Sequence, residues 1–268
     1  MTDTFNPGQP DAHVPFGAGN VVGETFSIFF RKIHLVLLLG FVPALIEVIV
    51  NNYAVTQPIE DIATENFDGA AFATSFAVSF VVSLVAVAIT TAMMIQLAYD
   101  AKLERPARIG SYFSAAIKNL PAIAVLSVIT TILYILGAIL FILPGIWIYA
   151  VFSVVVPAIV IDGAGFRAMG RSAYLTKNYR WPIIGTLTLV ILCIFLVAFV
   201  IGFVLAALFG VFSDQSSTIG TLGPWIFVEA AISAISYGWL SIAVALIFAR
   251  LKEIKEGVSV SDLIDVFK

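Results

Sequence analysis

Long apolar runs alternate with short polar stretches along this chain, and the runs are too long to be strands. Six of them, at about 35–52, 72–99, 121–142, 145–161, 182–212 and 224–248, have the length a helix needs to cross a hydrocarbon core of roughly 30 Å, about 20 residues. Barrel strands would be about half as long and alternate in polarity, so the pattern predicts an all-α membrane protein of six transmembrane helices. The link at 53–69 carries Glu60, Asp61, Glu65 and Asp68 and no base, and the link at 213–223 carries only Asp214. Between the third and fourth runs, Leu143-Pro144-Gly145 reads as a Pro-Gly reverse turn.

Charge adds orientation. The 14 Lys and Arg residues fall in clusters at 31–32, 102–118, 167–180 and 250–268, with none in the apolar runs between. Basic residues near spans stay on the cytoplasmic side, which places every cluster and both termini in the cytoplasm and the three acidic or Pro-Gly links outside. Only 12% of residues are charged, against about a quarter in soluble domains, and mean hydropathy is +1.04. A net charge of -3 gives no support for a nucleic-acid partner. Cys193 is alone, so no internal disulfide forms. Residues 1–19, polar and rich in Pro and Gly, read as a disordered tail.

Three stretches that precede outbound helices can be superposed: one from Gly23 to Lys32, one from Gly110 to Asn119 and one from Gly170 to Asn178. Each opens on a glycine, and a Lys follows at a near-equal offset. In the first, Val22, Phe26, Phe29 and Ile33 share one helical face while Glu24, Ser27 and Arg31 share the other. Such helices lie in the headgroup plane with their bases on anionic lipid. The expected fold is therefore three parallel hairpin repeats, each preceded by a cytoplasmic interfacial amphipathic helix, over 20–100, 101–162 and 163–257 of a membrane domain spanning 20–257. Residues 258–268, with Val260, Leu263, Ile264 and Phe267 on one face, read as a terminal amphipathic segment. The candidate headgroup contacts are Arg31, Lys32, Lys118, Arg167, Arg171, Lys177 and Arg180. For Arg167 and Arg171, one turn apart, clamping a phosphate and snorkelling to lipid are the two readings.

Within the apolar runs a few positions stand out. Ala198, Gly202, Ala206 and Gly210 form a small-residue stripe that permits close helix approach, inside this chain or in a homo-oligomer. Glu47 and Glu229 lie near the outer ends of the first and sixth runs, and Ser233, Tyr237 and Ser241 continue from Glu229 at four-residue spacing. Carboxylates at membrane depth suggest a function by default. They either face a vestibule for a cation, proton or polar headgroup, or sit hydrated or protonated at the interface. His13 and His34 join no carboxylate or cysteine, and no metal-ligand spacing, nucleophile elbow or phosphate-cradling loop appears, so no catalytic residue, metal or cofactor is assigned.

The segments Leu143-Pro144-Gly145-Ile146-Trp147, Pro157-Ala158-Ile159-Val160-Ile161-Asp162-Gly163 and 171–181, with Gly23-Glu24-Thr25-Phe26 and Lys255-Glu256-Gly257, form a pattern over most of 20–268. The pattern resembles the bacterial membrane domain found with glycerophosphoryl diester phosphodiesterases, which also occurs as a stand-alone protein. Asp162 stands where the fused members have Glu. In those members the chemistry belongs to a separate soluble barrel with histidines and metal-binding acids, and these 268 residues contain no such domain. The resemblance thus implies a non-catalytic multi-pass protein of the bacterial inner membrane. It would serve as a scaffold or accessory protein in lipid or glycerophosphodiester metabolism, with membrane lipids as partners and a protein partner open. The alternative is a conduit for a small polar solute or headgroup, using the outer carboxylates. An intramembrane phosphodiesterase is the third and weakest reading.

Overall fold

The computed structural model describes residues 15–63, 68–208 and 225–257, of which 53–63, 205, 206, 208 and 225 are described as backbone alone. The helices are α1 (Ala18–Ala63), α2 (Gly69–Lys102), α3 (Ile109–Leu140), α4 (Ile142–Phe152), α5 (Val155–Val160), α6 (Ala168–Thr176), α7 (Arg180–Leu208) and α8 (Trp225–Glu256). A single 3-10 turn, Gly165–Arg167, precedes α6, and no strand occurs among the described residues. Among the described residues six helices are long and apolar enough to cross a membrane, with α4 and α5 together making one of them, so the chain is built as a multi-pass membrane protein.

Helix boundaries depart from the sequence reading wherever polarity and helicity part company. α1 continues to Ala63, past the expected end near residue 52, because the polar residues that leave the apolar run are still compatible with a helix. α2 begins at an N-cap: Asp68 Oδ1 accepts the backbone N–H groups of Ala70 and Ala71 at 2.8 and 3.2 Å. The Pro-Gly turn is not where the chain reverses. Phe141 alone is extended (φ -161°, ψ 146°), while Pro144 and Gly145 lie in the first turn of α4, where a missing N–H costs nothing. Gly145 is there for contact. A Cβ on it would stand 2.9 Å from Ala138, and one on Gly137 would stand 2.6 Å from Ile148, so α3 and α4 touch backbone to backbone.

The amphipathic stretches also differ from one another. The first is the opening part of α1, set off by one non-helical residue, Lys32 (φ -116°, ψ 16°). Its buried side chains are Val21, Thr25, Ile28 and Phe29, packed into the protein, and Phe29 stacks on Trp239 of α8 at 4.9 Å. That indole offers the apolar face more contact than a headgroup layer does. The second stretch is the opening of α3, which runs unbroken through Pro121. The third alone forms its own helix, α6, because Asn178 adopts φ +74° and turns the chain before α7. The polar N-terminal stretch ends sooner than expected: Phe16 is buried, and α1 starts at Ala18. Residues 1–14 and the amphipathic segment at 258–268 lie outside the described residues.

Packing centres on α1, α2 and α8, which all contact one another, while α4 packs on both α3 and α7. The seam of α1 and α8 requires glycine: a Cβ on Gly238 would fall 2.3 Å from Val36 Cγ1, and one on Gly40 would fall 3.1 Å from Ala234 Cβ. The predicted stripe on α7 is a different matter. Ala198 faces α8, a Cβ on Gly202 would meet nothing within 4 Å, and Ala206's side chain and Gly210 lie outside the described residues. The outward face of α7 instead carries Phe195, Phe199 and Phe203, with successive rings stacked at 6.3 Å.

Candidate functional site

The start of α1 and the end of α8 define one end of the bundle. Arg250 Nη2 donates to the Pro15 carbonyl at 2.9 Å and Arg250 Nε to the Phe16 carbonyl at 3.3 Å, so the start of α1 and the end of α8 share one end. Lys102 pairs with Glu24 there at 2.9 Å, and Tyr112 donates to Asp100 at 2.7 Å with Arg108 3.9 Å from the same carboxylate. We call this the basic end.

Several motif residues scattered through the sequence meet in one joint at the basic end. Arg171 of α6 donates through Nε and Nη2 to Asp162 Oδ2 at 2.9 and 2.8 Å and also pairs with Glu256 of α8. Lys252 of α8 takes the other oxygen, Asp162 Oδ1, at 2.6 Å. Burial alone disfavours the Arg171 charge, but the Asp162 and Glu256 carboxylates outweigh it and hold the guanidinium pKa above its ordinary value. Gly163 (φ +67°) turns the chain after α5, and Gly257 (φ +65°) closes α8 with its N–H on the Glu253 carbonyl at 3.1 Å. Two acids and two bases satisfy one another, so Arg171 is occupied by protein rather than held out to a phosphate. The joint also mends a broken helix. Between α4 and α5 the ladder lapses at Ser153 and Val154, and the Val151 carbonyl takes the Ser172 hydroxyl at 2.7 Å; the Thr176 hydroxyl is shared between the Ser172 carbonyl at 2.9 Å and the Val151 carbonyl at 3.2 Å.

Four of the predicted headgroup contacts behave differently. Arg31, Lys118, Arg167 and Lys177 are exposed, and none is in an ion pair among the described residues. Arg31 has one link inward, to the Ala101 carbonyl at 3.3 Å. Exposed aromatics stand beside them in sequence: Phe30, Phe113, Phe166, Tyr174 and Trp181. Lys32, at the bend of α1, is half-buried.

The polar row at the opposite end is partly assembled. Tyr237 Oη donates to the Glu47 carboxylate at 3.2 and 3.3 Å. Side chains lean toward the N-terminus of their helix, and α1 and α8 run in opposite directions, so the two reach toward each other from different levels. Asn51 donates to Ser83 of α2 at 3.3 Å, and Ser83 is also within hydrogen-bonding reach of Glu47. Glu229 is exposed and within electrostatic reach of Glu47 but does not join its hydrogen bonds. Ser233 is half-buried, and Ser241 is buried with its Oγ unpartnered. Glu47 and Tyr237 are thus joined across two helices, while the remainder of the row stays a row on α8.

Sequence reading missed a cavity of about 590 Å³ between α3, α4 and α7. Its hydroxyl groups, Thr130, Thr131, Tyr134, Tyr149, Ser153 and Thr188, come from three helices and the break after α4, with no common spacing. Trp147 was legible only as the end of the Leu143–Trp147 motif; its ring lies 5.0 Å beneath the Arg180 guanidinium carbon, a pairing the motif did not indicate. Among the described residues no three His, Cys, Asp or Glu side chains stand close enough to hold a metal ion. No family model, curated protein or solved structure matches the chain.

Proposed function

We propose that this chain is a non-catalytic membrane scaffold or accessory protein that engages anionic lipid headgroups at its basic end, which faces the cytoplasm. The observation that carries the reading is the set of exposed cations without carboxylate partners, Arg31, Lys118, Arg167 and Lys177, interleaved with exposed Phe30, Phe113, Phe166, Tyr174 and Trp181. Aromatic rings and bases together are how a protein settles at a membrane–water interface. The contacts of α1 with α2, α3 with α4 and α7 with α8 support three parallel hairpins, with the glycine-opened stretches as their basic-end segments. The motif resemblance to the glycerophosphodiester membrane domain supports a setting in lipid metabolism.

The test is lipid co-purification from a membrane of known composition. Anionic lipid enriched around the protein, and lost when Arg31, Lys118, Arg167 and Lys177 are all changed to Gln, supports the reading. Equal enrichment in that variant overturns it. A second reading, a conduit, is favoured by one observation only, the Glu47–Tyr237 contact beside Ser83 and Asn51. A proton or cation flux in proteoliposomes that disappears with Glu47→Gln would decide for it.

A further inference from the structure

We propose that the cavity between α3, α4 and α7 holds an acyl chain of a membrane lipid whose anionic headgroup rests on Arg180. Within the proposed function this gives the surface reading one specific lipid site, and it rests on that reading only for the membrane setting.

Arg180 differs from the other arginines of the 167–180 and 250–268 clusters. Arg171 and Arg250 are paired with carboxylates, and Arg167 is exposed to solvent or headgroups. Arg180 is half-buried, in no ion pair among the described residues, and its Nε is buried without a hydrogen-bond partner. A buried donor on a charged group left without an acceptor is costly, and the Trp147 face 5.0 Å away answers only part of the charge. An anion completes it. Trp181, packed edge-on to Trp147 at 5.7 Å and 65% exposed, leaves a second ring beside the same spot.

Arg180 is not itself in the cavity wall, but residues near it and beside Trp147 are. Ile184, four residues after Arg180 and on the same face of α7, lines the cavity, and so do Ile146 and Ile148 on either side of Trp147. Leu187 and Ile191 continue the apolar wall inward. Its volume is within the range of small-molecule sites, about 300–1,000 Å³. The walls belong to three of the candidate spans, where the surrounding medium supplies acyl chains rather than water. A lipid brings both halves that the site lacks, an anion for Arg180 and a hydrocarbon tail for the cavity. The shared chemistry with a free anion ends at the headgroup, which gives the test its arms.

The detergent-solubilised full chain is titrated with dioleoylphosphatidylglycerol, dioleoylphosphatidylcholine and glycerol phosphate, and bound species are counted by native mass spectrometry. One phosphatidylglycerol is expected to survive activation that strips the others. Arg180→Gln and, separately, Thr130→Phe, which fills the cavity, should each lower its retention at least tenfold. Melting curves confirm that each variant is folded. Equal retention of phosphatidylcholine, binding of glycerol phosphate as tight as that of the lipid, or retention unchanged in both variants overturns the proposal. The fourfold Gln variant at 31, 118, 167 and 177 separates the two readings. If it loses bulk anionic enrichment yet keeps the single lipid, both stand. If bulk enrichment is unaffected while the single lipid vanishes with Arg180→Gln, the surface reading falls and this one remains.

Discussion

At the scale of single residues, the side chains that matter most are those whose removal leaves something stranded. Arg171 touches two carboxylates on different elements, and the three side chains are between 12% and 26% exposed. Arg171→Met leaves Glu256 without its partner and Asp162 with Lys252 alone, and should cost about 1–3 kcal/mol in unfolding of the detergent-solubilised protein. Arg171→Lys should recover little, because a single ammonium cannot reproduce bonds from Nε and Nη2 to Asp162 while reaching Glu256. Gly238 makes the opposite kind of demand. Gly238→Ala places a methyl 2.3 Å from the stiff, buried Val36 and should cost about 1–3 kcal/mol by overpacking. Val36→Ala added to it should restore most of that loss, whereas Gly202→Ala, with open space around it, should change the midpoint little. A Gly238→Ala protein as stable as the parent, in a melt followed by circular dichroism, would show that α1 and α8 are not in this register.

Elements are where the sequence was most and least readable. The spans were legible because lipid imposes one requirement, about 20 apolar residues in a row with every backbone bond satisfied internally, and nothing local disguises it. Their joints were not. Pro144-Gly145 looks like a turn by itself, and only the approach of Gly137 shows that the glycine serves contact while the proline rides in a first turn. The break at Ser153 and Val154 lies inside an apolar run with nothing to announce it beyond Pro157. Its repair comes from Ser172 and Thr176, about 20 residues on. In the candidate site, Glu47 and Tyr237 were each legible as polar positions at membrane depth. Their pairing, and the joint of Asp162, Arg171, Lys252 and Glu256, depend on contacts between distant segments that periodicity does not carry. The broken helix gives its own prediction. Ser172→Ala with Thr176→Val strips the Val151 carbonyl of both hydroxyls that reach it. The pair should lower stability by about 1–3 kcal/mol, and either single change by less, since one donor remains. Additive losses in that double-mutant cycle would mean that the two hydroxyls do not share one acceptor.

For the molecule as a whole, the crossing number is decided at α3 and α4. The bonds from Arg250 to the Pro15 and Phe16 carbonyls already require an even number of passages between residues 16 and 250. Six helices have the length for it, but the fourth is the shortest, 19 residues, and is interrupted. Trp147 in that helix touches Arg180 and Trp181, the two residues that open α7 at the basic end, so the hairpin of α3 and α4 must either cross fully or fold back as a re-entrant pair. A re-entrant pair would leave four crossings and keep Arg250 beside Pro15 and Phe16, so that contact fits both arrangements. Exposure separates them. Leu143 is 69% exposed beside the reversal at Phe141, which suits a far-side tip, and a full crossing puts it on the same side as Asp68. In a Cys193→Ser background, an impermeant maleimide applied from one face should label cysteines at Asp68 and Leu143 together. Applied from the other face, it should label those at Gly19, Lys118 and Lys177. Leu143 labelled from the Lys177 face would reduce the bundle to four passages and place the Arg180 cavity at the mouth of a re-entrant hairpin.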